Sequence, residues 1–196
     1  IPYAWATSAT DDSTPVMLSQ SIMLIFTWPG LRIKEQKMVG MTRREVVQGS
    51  DNSSRVVTET AALTASEQVH AGRTALLSLL AGFTVTLPPA IGSGAVYRFH
   101  VGIVRTSGNY IIQVDSSNDN MEGLLTLIDT DSVDNSATGF VTTSNTSDTI
   151  TLDATIKGGL TIGDWVELVD AAANVWHVHG QLSGSGTIET PFSAAV

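Results

Sequence analysis

Between Gly82 and Gly180 the chain repeatedly spells a short apolar run, a turn tripeptide and another apolar run, and this rhythm constrains its fold more than any other feature. Phe83-Thr84-Val85-Thr86-Leu87 alternates apolar and polar residues strictly and stops at Pro88-Pro89. Period two belongs to a strand with one buried face, and proline cannot donate to a ladder, so a half-buried strand with a fixed end is predicted. Gly92-Ser93-Gly94 leads into Ala95–Val101, and Ser107-Gly108-Asn109 leads into Tyr110–Val114. Three strands following so closely predict a meander. Thr149–Leu152, ahead of Lys157-Gly158-Gly159, adds a strand, and Asp164–Val169 with Asn174–His179 predicts a hairpin around residues 170–174. Leu76–Leu80 fits a short helix or a strand equally. Roughly seven or eight strands with almost no helix imply an all-β fold, a single compact β-sandwich or barrel-like domain. No fixed-period repeat runs through the chain, which speaks against solenoids and propellers.

Charge divides the 196 residues unevenly. The net charge is −9, but residues 32–55 hold Arg32, Lys34, Lys37, Arg43, Arg44 and Arg55 against three acids, a net of +3. Residues 56–196 hold four basic and fourteen acidic residues, a net of −10. The Gly-Ser-Asp-Asn-Ser-Ser run at 49–54 lies at this boundary, so residues 1–55 read as an extended N-terminal arm and linker and residues 56–196 as the β-rich domain. A solvated charged stretch of an ordinary fold is the plainer reading of the same residues. The arm also carries Trp5, Phe26, Trp28 and Leu31, more apolar surface than a solvated tail needs, while Pro2, Pro15 and Pro29 oppose a long helix. Such a segment wants a surface to lie on, either its own domain or a neighbouring subunit.

Several functions are disfavoured. The absence of Cys removes disulfide scaffolds and thiol chemistry, and an acidic body with a pI near 4.7 argues against a nucleic-acid partner. Ile22–Phe26 is too short to span a bilayer, and residues 1–31 contain no Lys or Arg to flank a signal peptide. His177 and His179 share one strand face opposite Trp176 and Val178, yet nothing adjacent supplies a third metal ligand. Asp129, Asp131 and Asp134 have calcium-loop-like spacing without the glycine and bidentate glutamate of a helix-loop-helix calcium loop, so calcium and a solvated acidic loop both stay open, the second favoured. No nucleophile elbow or phosphate loop occurs, so neither enzymatic activity nor a cofactor is expected.

Ala71-Gly72-Arg73-Thr74, Gly82 to Pro88, Gly92-Ser93-Gly94, Tyr97-Arg98-Phe99, Gly163 to Leu168, Trp176 to Gly180 and Thr190-Pro191-Phe192-Ser193 together resemble structural proteins of tailed bacteriophages, in the closest sense a head decoration, or cement, protein. The resemblance covers roughly residues 60–195. It implies a structural virion protein on the outer surface of the capsid, fastened by an arm across major capsid protein subunits and stabilising the expanded shell. It further implies contact with neighbouring copies, as a homotrimer where decoration proteins sit at threefold positions. The arm residues Trp5, Phe26, Trp28, Leu31, Arg32, Lys34, Lys37, Arg43 and Arg44 are then the capsid-interface candidates. Tail-fibre and appendage domains use similar turn and strand signatures, so binding to a host receptor or glycan is the alternative. Exposed Trp176 or Tyr110 would favour it, whereas Trp165 and Trp176 are expected in the core.

Overall fold

The computed structural model describes residues 55–131 and 135–196. The capsid-interface candidates Trp5, Phe26, Trp28, Leu31, Arg32, Lys34, Lys37, Arg43 and Arg44 lie outside the described residues, as does Asp134. The described chain is nearly all β, in two sheets. In order it runs β1 (Val56–Glu59), β2 (Leu63–Thr64), α1 (Glu67–His70), β3 (Thr74–Leu77), β4 (Phe83–Thr86), β5 (Val96–Val101) and β6 (Tyr110–Gln113). It continues through β7 (Asn120–Asp129), β8 (Ala137–Val141), β9 (Thr149–Leu152), β10 (Trp165–Ala172), β11 (Val175–Gly184) and β12 (Phe192–Ser193). One sheet has seven strands in the order β1-β3-β5-β10-β11-β7-β8, the other five in the order β12-β9-β6-β4-β2.

The strands expected at Phe83, Ala95 and Tyr110 are present, but they are not a meander. β4 and β6 pair in parallel in the five-stranded sheet, while β5 lies in the seven-stranded sheet. From β1 to β6 the chain alternates between the sheets, and β1-β3-β5 and β2-β4-β6 are each parallel. Parallel neighbours need a crossover, and here each crossover is itself a strand of the opposite sheet. Val56 lies opposite Thr74 and Thr74 opposite Arg98, steps of 18 and 24 residues, so this coil-like winding leaves no fixed period to detect. The ambiguous Leu76 region resolves as strand β3, since Ala75 and Leu77 are buried on one face. The predicted hairpin is β10 with β11, longer than expected because β10 continues to Ala172 and the turn falls at Asn174, whose φ is 63°.

Alternation decides what enters the core. Phe83, Val85 and Leu87 point inward from β4 and its exit, and Tyr97, Phe99 and Val101 point inward from β5, while the residues between them face outward. Val166 and Leu168 of β10 meet Trp176 and Val178 of β11 beneath the sheet, all nearly inaccessible. Trp176 packs edge-to-face on Tyr97 with centroids 5.5 Å apart, and Phe83 does the same with Tyr110 at 5.3 Å. Such pairs add about 0.5–1.5 kcal/mol each beyond their buried area. The Tyr110 hydroxyl sits where the chain leaves the seven-stranded sheet. It accepts the Leu79 N–H at 2.9 Å and is 2.8 Å from the Leu79 carbonyl and 3.1 Å from those of Leu77 and Ile103. Burial raises its pKa, so it stays a donor.

Candidate functional site

The buried acids are taken up by the chain's own N–H groups, which separates structural polar groups from available ones. Asp170, on the inward face of β10, accepts the N–H groups of Ile91, Gly92 and Ser93 at 2.7–3.0 Å and so clasps the loop before β5. Burial alone would raise its pKa, but the hydrogen bonds from Ser93, Gly92 and Ile91 outweigh it and leave the carboxyl below its ordinary value. Asp164 behaves oppositely. It accepts Gly159 N–H, Ser183 N–H and the Ser183 hydroxyl at 2.8–3.0 Å, yet burial dominates and raises its pKa. Asp119 accepts the Ala90 N–H at 3.0 Å, and Asp148 accepts the Thr149 hydroxyl and the Ala195 N–H, both at 2.8 Å, tying down the last residues. Asp129, first of the three carboxylates with calcium-loop-like spacing, is buried and accepts the Asp131 N–H at 3.0 Å. Among the described residues no group of three or more His, Asp or Glu side chains is arranged to hold a metal ion.

Among the described residues, charged, imidazole and indole side chains gather on the outer face of the seven-stranded sheet. Register places Arg98 of β5, Glu167 of β10, His179 of β11, Leu124 of β7 and Val141 of β8 in one row across it. Glu167 receives the Arg98 Nε–H on one carboxylate oxygen and has His179 Nε2 3.1 Å from the other. Arg98 and His179 are about half exposed, so the triad contributes on the order of 1 kcal/mol or less. The neighbouring row carries His100 and Trp165, stacked with centroids 6.4 Å apart, and the Trp165 ring also meets His179 edge-on at 5.8 Å. Burial, then the Arg98 cation, lowers the His100 pKa and favours its neutral form. The expectation that Trp165 joins the core does not hold. It faces outward because Val166 and Leu168 take the inward positions of β10, so the alternation that buries Trp176 excludes Trp165. The predicted shared face of His177 and His179 is present: both are exposed, and His177 lies across from Glu122 beside a shallow depression that Gly123 and Val178 also line.

The face therefore offers a cation, two carboxylates, three imidazoles and one half-buried indole, an arrangement suited to contact with another surface. Leu124 and Val141 extend it as exposed apolar residues, and neither stands out in the sequence. No protein family, no curated protein and no solved structure matches this chain.

Proposed function

We propose that this chain is a structural virion protein that binds the outer surface of a tailed-phage capsid and stabilises the expanded shell by bridging major capsid protein subunits. The observation that carries the reading is the split of charge, +3 within residues 32–55 against −10 over residues 56–196. A short basic segment with Trp5, Phe26, Trp28 and Leu31 nearby suits docking on an acidic shell, and an acidic body suits display in solvent. The resemblance of residues 60–195 to head decoration proteins supports the same reading. The described fold is compatible with it: a β-sandwich whose buried acids hold its own loops presents a preformed body and needs no chemistry of its own.

The mechanism is thermodynamic linkage. A ligand whose site exists only across assembled, expanded subunits stabilises that state by its binding free energy, about 2.7 kcal/mol at a hundredfold excess over Kd. Many copies acting together then resist internal pressure. Co-sedimentation of the full chain with expanded shells tests this. Binding is expected to weaken steeply with salt and to fall at least tenfold when Arg32, Lys34, Lys37, Arg43 and Arg44 are all changed to Ser. Undiminished binding of that variant would contradict the docking role of the basic segment.

The alternative, an appendage that binds a host receptor or glycan, has Trp165 on its side, on the outer face between two histidines. Trp176 and Tyr110, the aromatics it would have used as platforms, are 0% and 1% exposed.

A further inference from the structure

Among the described residues the two sheets have four edge strands, and three of them are short or charged. β2 and β12 span two residues each, and β1 carries Glu59 with Arg55 just before it. The fourth, β8, spans five residues, Ala-Thr-Gly-Phe-Val, and no charge occurs from Asn135 to Ser147. Native proteins usually blunt an exposed edge with charge, proline or brevity, because unpaired strand amides template pairing with another chain. β8 has none of these.

Its ladder shows which groups are left over. Asp129 N–H donates to the Ser136 carbonyl and Thr142 N–H to the Gly123 carbonyl, so residues 136, 138, 140 and 142 direct their backbone groups to β7. The backbone groups of Ala137, Gly139 and Val141 therefore point away from the sheet. The Ala137 and Val141 side chains lie on the outer face, where Val141 is 70% exposed beside Leu124 at 47%.

We propose that β8 is the interface between two copies of this chain, the strands pairing antiparallel about Gly139 so that two seven-stranded sheets become one. The segment is self-complementary. With Gly139 opposite Gly139, Ala137 falls opposite Val141 on both sides, and each of the three residue pairs exchanges N–H···O bonds. Val141 of each copy then packs over Ala137 of the other. A second copy fits better than a foreign strand because the segment is its own complement, and no charge occurs from Asn135 to Ser147 to oppose two acidic bodies meeting here. The contact is isologous, closes at two copies and uses up the open edge.

Sedimentation equilibrium of the full chain from about 1 to about 100 µM tests it, together with hydrogen exchange at Ala137, Gly139 and Val141. The expected result is a monomer–dimer equilibrium with concentration-dependent protection of those three amides. Val141→Lys, at an exposed site, and Gly139→Pro, which removes an outward N–H and no bond to β7, are expected to weaken dimerisation at least tenfold while near-ultraviolet circular dichroism stays native. A chain monomeric throughout, variants that dimerise as the parent does, or a mass of three copies would overturn the proposal. So would protection independent of concentration, which would show the chain's own N-terminal residues on the edge. None of these outcomes depends on a capsid, so this proposal and the capsid reading can fail separately.

Discussion

Asp170 is a single residue whose role extends across the molecule. Its carboxylate holds three consecutive backbone N–H groups of a loop 77–79 residues earlier in the chain. Asp170→Asn keeps the shape but turns an amide toward at least one of those donors. Since hydrogen bonds to a buried charge contribute about 1.5–3 kcal/mol, a loss of roughly that size is expected in urea unfolding at neutral pH. The pH dependence has a definite sign. Because folding depresses the Asp170 pKa, its contribution is complete above the ordinary carboxylate value and is lost as pH falls through the lower folded value. The stability gap between wild type and Asp170→Asn should accordingly narrow in strong acid. Asp164 opposes this trend: with its pKa raised, it costs stability as pH rises from the ordinary carboxylate value through the raised one. Neither role is legible in the sequence. Asp170 falls inside the segment that reads as a turn, and its partners are set by how the chain crosses between sheets. Among the described residues, five of the acids that make the body negative, Asp119, Asp129, Asp148, Asp164 and Asp170, are buried. Part of what reads as a solvated charge is thus internal scaffolding.

Among the elements, β7 escapes sequence reading although it is one of the two longest strands. Met121, Leu125 and Leu127 keep the inward period, but Gly123 leaves one inward position empty, while Leu124 and Ile128 are apolar on the outer face and blur the alternation. Strands β4 and β10 are legible because threonines, or Glu167 between Val166 and Leu168, mark their outer faces. Their pairing is not, since turn tripeptides announce that the chain reverses and not which sheet it enters. Gly123 also has a physical reason to be glycine. Its φ is 147°, and a Cβ there would run into the Val178 carbonyl, where β7 and β11 run parallel over ten residues. Gly123→Ala is therefore expected to cost about 3 kcal/mol or more, from strain and separation of this pairing, as measured by the denaturation midpoint.

At the scale of the whole molecule, the all-β class follows directly from period-two patterning, while the coil-like winding of β1–β6 depends on long-range pairing that no local pattern encodes. The net charge of −9 hides a basic segment, an acidic exterior and a set of buried clasps. The outer face of the seven-stranded sheet bears Arg98, Glu167, His179 and Trp165 and ends at the edge strand β8. In the proposed role the basic segment fastens the chain and the sandwich is the body it displays. Electron microscopy of intact virions labelled with gold-conjugated antibody against the body tests that role most directly. Label distributed over the head in many copies per particle is the predicted result; label confined to the tail or its fibres would contradict it.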